Sequence, residues 1–138
     1  MTYRPIVPSI RTGEGDGDSL RDAFREALSH WAAGVCVLAV RDEDEVLALT
    51  VSAFASVSLD PPLVLVCVSE HAGLLPSLLE TGRFVVNLLG EDARAAAVGF
   101  AQGLPAPRGT FPEDGDPVLR GALASLVCAV DAAHPRGA

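Results

Sequence analysis

The sequence contains no lysine, and its ten basic residues are all arginines. Acidic residues number 18, which leaves a formal net charge of −8. Binding to a nucleic acid requires clustered basic side chains that displace counterions from phosphates, and no such cluster occurs along the chain. An anionic membrane surface is disfavoured for the same reason. These absences argue against nucleic-acid and lipid binding.

Aromatic residues make up only 5% of the chain, although 49% of it is hydrophobic. The core is therefore expected to consist mainly of Val, Leu and Ala, in a single domain of 138 residues. No apolar run approaches the roughly 20 residues that a membrane-spanning helix needs. Residues 1–11 lack the apolar segment of a signal peptide, so we expect a cytoplasmic protein.

Motifs for metal binding and for nucleophilic catalysis are also missing. The three cysteines show no C-x-x-C spacing and lie in apolar runs, so we expect buried, reduced thiols and no disulfide or zinc site. The three histidines are scattered, and no G-x-S-x-G motif occurs. If the chain is an enzyme, this pattern favours chemistry carried by a cofactor.

The order of apolar and polar segments predicts a mainly β domain with peripheral helices. Residues 1–18 are interpreted as an extended arm and linker, and residues 19–138 as the folded domain. A helix is predicted from Ser19 to Gly34, and short helices over 73–80 and 91–100. The strands are expected at 35–40, 46–52, 63–68, 83–89, 118–119 and 123–132. Residues 104–117 are rich in proline and glycine and predict a loop that is long enough to be a functional lid. Short turns between the strands favour an antiparallel barrel.

The segment 50–68, TVSAFASVSLDPPLVLVCV, combines hydroxyl side chains with a turn at Pro61-Pro62 and a following apolar strand expected to be buried. Such a backbone corner offers N–H and O–H donors to an anionic ligand without Lys or Arg, which suits a phosphorylated cofactor. The simpler alternative is that alternating serines are only the solvent face of a strand. Asp60 is expected to cap the turn.

Four pieces of the sequence together resemble the flavin reductase family, the FMN-binding split-barrel group that includes the small components of two-component monooxygenases. They are residues 24–35, the segment 50–68, FVVNLL at 84–89 and Gly99-Phe100-Ala101, in the family's order and spacing. The resemblance spans about residues 20–130. It implies a Greek-key split barrel, a homodimer, and an enzyme that transfers hydride from NAD(P)H to FMN or FAD, with a monooxygenase component as a further partner. The alternative is an FMN-binding split barrel without reductase turnover.

The resemblance also implies the cofactor-binding residues, whereas no residue is predicted to be catalytic and none to bind a metal. The ring and ribityl chain are expected to contact Thr50, Val51, Ser52 and Ala53. Hydroxyl and main-chain contacts are expected from Ser56, Val57 and Ser58. The phosphate is expected to face Ser69 and His71. Asn87 is expected to satisfy buried backbone groups rather than to contact flavin.

The chain departs from the family pattern at three places. Ala48 stands where the family usually has a glycine, and its methyl group is expected to crowd a closely approaching ligand. Glu70 lies beside Ser69 and is expected to repel a phosphate. The family's Gly-Asp-His motif has no counterpart before Ala138.

Overall fold

The computed structural model describes residues 17–135, with side chains from residue 21 onward. Most of the predicted arm therefore lies outside the described residues. The chain divides into two compact units, Met1–Ala32 and Ala33–Ala138. The described part of the first unit contains the helix α1 (Gly17–Ser29), which confirms the predicted helix but ends five residues before Gly34. The predicted domain boundary between residues 18 and 19 stays a prediction.

The second unit is built on a four-stranded antiparallel sheet in the order β2-β1-β5-β6. Its strands are β1 (Cys36–Asp42), β2 (Glu45–Val51), β5 (Arg83–Leu88) and β6 (Ala124–Ala129). The predicted hairpin is confirmed: β1 and β2 pair from Cys36↔Val51 to Asp42↔Glu45. Glu43 adopts a positive φ of 51° in its two-residue turn, the conformation that tight hairpin turns require.

The central strands β1 and β5 are buried because both faces of the sheet are covered. Alternate residues of β1 point to opposite faces. Leu38 and Val40 pack in one cluster with Val86 and the helix α2 (Leu75–Thr81), whereas Val37 and Ala39 pack in a second cluster under Phe100. This double coverage explains why these strands are continuous apolar runs.

A separate two-stranded ribbon, β3 (Phe54–Leu59) and β4 (Pro62–Val66), covers part of the first cluster. Its turn contains the double proline, with a cis peptide bond between Asp60 and Pro61. The expectation that the strand after this turn is buried is wrong: Leu65 is 54% exposed, since only one face of the ribbon packs on the sheet.

The mainly β class with peripheral helices is confirmed, but the strands of the described residues form two separate sheets and not one closed barrel. The helices are short: α2 (Leu75–Thr81) ends at Gly82, which adopts φ 63°, and α3 (Arg94–Ala101) follows a 3-10 turn at Glu91–Ala93. None of the helices within residues 17–135 is long and apolar enough to cross a membrane.

The loop 104–117 packs against the sheet. Phe111 is buried beside Phe100, and the Arg41 guanidinium donates hydrogen bonds to the carbonyls of Pro112 and Gly115 at 2.6 and 2.7 Å. The predicted strand at 118–119 is wrong, because Leu119 is held by a side chain, Asn87, and not by a neighbouring strand.

Two of the three cysteines match the prediction of sheltered thiols. All three are free; Cys36 is buried and Cys128 is half-buried. Burial raises the pKa of both thiols above the ordinary value. Cys67 is exposed, so the expectation that it is buried is wrong.

Candidate flavin site

A cavity of about 250 Å³ lies where β1 begins and β5 ends. No charged side chain contributes to its lining, which consists of Gly34, Val35, Cys36, Phe54, Leu88 and Leu89. Complete small-molecule pockets usually measure about 300–1,000 Å³. The cavity therefore has the size and chemistry to bury one end of an apolar ring system, with the rest of the ligand outside it.

A sharp corner at Ser52-Ala53 joins the main sheet to the ribbon beside this cavity. The N–H of Phe54 donates to the carbonyl of Ser52 at 3.0 Å, and the N–H of Cys67 donates to the carbonyl of Ala53 at 3.0 Å. The buried thiol of Cys36 donates to the carbonyl of Val51 at 3.3 Å. These hydrogen bonds hold the backbone of the corner in place. The side chains of Ser52 and Ala53 are exposed.

Three serine hydroxyls of the predicted site have no hydrogen-bond partner within residues 21–135: those of Ser52, Ser56 and Ser58. Every other serine or threonine hydroxyl in that range bonds to a protein group, as at positions 29, 50, 69, 77, 81, 110 and 125. A hydroxyl supplies one donor and two acceptor positions. The unused hydroxyls of the unit are therefore concentrated on the segment beside the cavity.

A β-bulge at Val57 separates Ser56 from Ser58. Ser56 pairs with Val64, but Ser58 pairs with the adjacent residue Leu63. Neighbouring residues of a strand point to opposite faces, so the two serines lie on opposite faces of the ribbon. Ser56 shares its face with Phe54, which lines the cavity and packs on the core. Simple alternation places both serines on one face, which is wrong because of the bulge.

The remaining predicted residues differ in which of their atoms are accessible to a ligand. Thr50 donates its hydroxyl hydrogen to the carbonyl of Ala97 in α3 at 2.5 Å, so only its lone pairs remain for a ligand. The side chain of Val51 is 6% exposed and packs in the core, which leaves its backbone as the contacting part. Val57 is 51% exposed on the ribbon. Ala48, where crowding of a ligand is predicted, packs in the second cluster and is not part of the cavity lining.

The predicted phosphate-binding residues follow the strand β4, close in sequence to the residue that bonds to this corner. Ser69 lies two residues beyond Cys67, whose N–H is bonded to Ala53. The Ser69 hydroxyl oxygen accepts the N–H of His71 at 3.2 Å, and His71 Nε2 lies 3.6 Å from Glu70 Oε1. A phosphate at this turn meets one imidazole that is already beside a carboxylate.

Asn87 has the structural role expected of it. It is fully buried, and its amide donates to the carbonyls of Val37 and Pro117 at 3.3 Å each. Its carbonyl oxygen accepts the N–H of Leu119 and the hydroxyl of Ser125. All its polar atoms are thus satisfied by the protein, so it contributes to the site by fixing β5 just before Leu88.

Sequence reasoning missed the apolar lining of the cavity. Cys36, Phe54 and Leu88 come from three strands that are far apart in sequence. All three lie in or beside segments that carry the family resemblance, 24–35, 50–68 and 84–89, which is the signal that could have identified them. Across residues 21–135 no group of three or more His, Cys, Asp or Glu side chains is placed to hold a metal ion.

The chain was compared with known proteins. The model of the flavin reductase like domain matches residues 28–138. The reductase component of 4-hydroxyphenylacetate 3-monooxygenase from Thermus thermophilus is 45% identical over 118 residues, covering 86% of this chain and 76% of that protein. An NADH-dependent flavin reductase from a Rhodococcus species is 40% identical over 130 residues, covering 91% and 74%.

A solved structure agrees with these matches. It is an NADH:FAD oxidoreductase from Streptomyces globisporus in complex with NAD and FAD fragments, with a TM-score of 0.77 and 32% identity, covering 91% of this chain and 78% of that one. Since the family model covers four-fifths of the sequence and the fold agrees, this chain belongs to the flavin reductase like domain family.

Proposed function

We propose that this protein is an NAD(P)H-dependent flavin reductase that binds FMN or FAD and transfers hydride from nicotinamide to flavin. The observation that carries the proposal is the set of unused hydroxyls at Ser52 and Ser56 beside an uncharged cavity. The names of the relatives, an NADH-dependent flavin reductase and a monooxygenase reductase component, support it.

The residues present fit a flavin by their chemistry. The apolar lining at Phe54 and Leu88 excludes water from one end of a ring system, and Ser52 and Ser56 offer donors and acceptors to its polar edge. A bound flavin supplies the electron-accepting ring, and the reaction then needs no protein nucleophile. The protein binds and orients the two reactants, which agrees with the lack of acid–base residues in the lining.

We infer that two copies of the chain complete the site. The cavity is too small to enclose a flavin, and the ribbon beside it exposes apolar side chains: Val57 is 51% and Leu59 95% exposed. A two-stranded ribbon is marginally stable in water on its own, and exposed apolar patches mark association surfaces. A second copy that packs on this ribbon buries these side chains, covers the open side of the cavity and completes the split barrel.

We further propose that the reduced flavin is delivered to a separate monooxygenase component. The relatives named as reductase components support this role. A cytoplasmic location agrees with the three free thiols, since disulfides are rare in reducing compartments.

The test is NADH and NADPH oxidation, followed at 340 nm, with and without added FMN, FAD or riboflavin. The proposal expects oxidation that depends on flavin and saturates with it. A purified protein that binds flavin but leaves NADH and NADPH unoxidised would support the alternative, a flavin-binding protein without turnover. Absence of both binding and oxidation would contradict the proposed site.

A further inference from the structure

A second, larger cavity of about 560 Å³ lies at the opposite end of β1 and β5. Arg41 is the last but one residue of β1 and Arg83 is the first of β5, five residues from Cys36 and Leu88, respectively. A strand rises about 3.3 Å per residue, so this cavity is about 17 Å from the flavin site. Its volume lies within the range of small-molecule pockets.

The floor of this second cavity is apolar and its rim is charged. Phe84 is 7% exposed and Pro117 is buried. Arg83 forms a two-pronged ion pair with Asp116, with N–O distances of 2.8 and 3.0 Å, so these two charges compensate each other. Glu43 lies on the rim in the β1–β2 turn.

Arg41 differs from Arg83 because its charge has no close counter-ion. It is half-buried, and its guanidinium donates only to the neutral carbonyls of Pro112 and Gly115. Over residues 21–135, no carboxylate lies within 4.0 Å of it. A guanidinium has five N–H donors in a planar fork that matches a carboxylate. Two of these donors hold the loop, which leaves three for a ligand.

We propose that the second cavity binds a small monocarboxylate with a flat apolar body. The carboxylate binds the free N–H groups of Arg41, and the body lies on Phe84 and Pro117. A single negative charge matches the guanidinium of Arg41 and is repelled by Glu43 only half as strongly as a dianion such as hydrogen phosphate, which also gains nothing from the apolar floor. This site does not depend on the proposed reductase activity.

The probe is sodium benzoate, titrated into the ¹⁵N-labelled full chain and followed by the backbone amide shifts of Phe84, Gly115 and Asp116. We expect a saturable shift at these residues. Benzamide has the same shape without the charge and is expected to bind at least tenfold more weakly. Inorganic phosphate is expected to cause no saturable shift.

Two substitutions separate ligand binding from a purely structural role of Arg41. Arg41→Gln is expected to weaken benzoate binding about tenfold, the loss of a charged hydrogen bond. Because this variant also loosens the loop, Glu43→Gln is the sharper test. It removes one rim charge from an exposed turn and is expected to tighten benzoate about threefold, whereas Glu70→Gln at the other end leaves it unchanged.

The proposal is overturned if benzoate gives no saturable shift or if benzamide binds equally well. It is equally overturned if phosphate shifts the same amides as strongly, or if Glu43→Gln does not tighten binding. Any of these results would mean that Arg41 only holds the loop in place through its hydrogen bonds.

Discussion

The two ends of β1 and β5 differ in how their polar groups are used. At the Cys36–Leu88 end, the cavity lining carries no charge and the nearby hydroxyls of Ser52 and Ser56 are unused. At the Arg41–Arg83 end, charges are abundant and the hydroxyls are occupied: Ser77 donates to Asp42, and Thr81 donates to the carbonyl of Ser77. One pair of strands thus separates a neutral hydrogen-bonding site from a charged one.

This separation has a chemical consequence for the neutral end. A flavin ring is apolar with a polar edge, so it is suited by a dry lining and by donors that do not already bond to the protein. The Arg41 and Arg83 side chains line the other cavity, at the opposite end of these strands. If flavin binds at the neutral end as proposed, its affinity is expected to come mainly from the ring and its hydroxyl contacts.

The largest expected effect is the loss of flavin binding at the neutral end. Ser56→Asp places a carboxylate on the ribbon face that carries Phe54, where the ligand is apolar or anionic, and is expected to weaken flavin binding at least 30-fold. The dissociation constant is measured by the quenching of FMN fluorescence on binding.

The matched control is Ser58→Asp, which introduces the same charge on the opposite ribbon face. It is expected to change the flavin affinity less than threefold. Equal losses in both variants would show that the bulge does not separate the two serines as the pairing implies.

The second largest effect concerns the residue that fixes β5 between the two ends. Asn87→Ala leaves the carbonyl of Val37, the N–H of Leu119 and the hydroxyl of Ser125 without their partner. We expect the free energy of unfolding to fall by about 3 kcal/mol, measured by urea denaturation.

Its control is Ser125→Ala, which removes one of the four bonds of Asn87 and is expected to cost about 1 kcal/mol. A destabilisation by Asn87→Ala no larger than this would mean that water replaces the buried amide.

A smaller effect tests the assignment of Thr50. Thr50→Val removes the hydrogen bond to Ala97 and keeps the side-chain shape, so the free energy of unfolding should fall by about 1 kcal/mol. Because the hydroxyl already donates to α3, the flavin KM should change less than twofold. A stable variant with a strongly raised flavin KM would show that Thr50 contacts the flavin instead.

The smallest effect concerns the ion pair at the charged end. Arg83 lowers the pKa of Asp116 through a hydrogen bond and its positive charge. The stability this pair provides is therefore present above the pKa of Asp116 in the unfolded chain and is lost as the pH falls through its lower pKa in the folded protein.

Asp116→Asn should consequently reduce stability slightly at neutral pH, and this reduction should shrink only as the pH falls below the ordinary aspartate pKa of 3.8, in thermal melts from pH 7 to pH 2. Added salt should reduce the difference, since both side chains are partly exposed. A difference that persists at low pH would indicate a role of Asp116 in holding the loop rather than in the ion pair.

Local sequence signals predicted most of the elements correctly. The charged Asp42–Glu45 turn between two apolar runs identified the β1–β2 hairpin, and Gly82 identified the end of α2. The serines at 52, 56 and 58 were singled out because their hydroxyls stand out against an apolar segment, and their role in binding flavin stays a prediction. These features depend on residues near in sequence, where turn and capping chemistry acts.

Signals that depend on distant residues failed. The 118–119 strand was predicted from two apolar residues, but Leu119 bonds to the side chain of Asn87, 32 positions away. The exposure of β4 and Cys67 follows from the ribbon leaving the main sheet, which no apolar pattern reveals. The bulge at Val57 required the strand register to be known.

By itself the sequence determined most of the strands and helices and which segment is rich in hydroxyls, because alternation, turns and caps are set by neighbouring residues; it missed the strand β3 and wrongly predicted one at 118–119. Only the tertiary structure decided which serine shares a ribbon face with Phe54, which hydroxyls remain unused and where the charged and neutral ends lie. These properties depend on strand register and on which partner satisfies each polar group, and both are fixed only when segments distant in the chain come into contact.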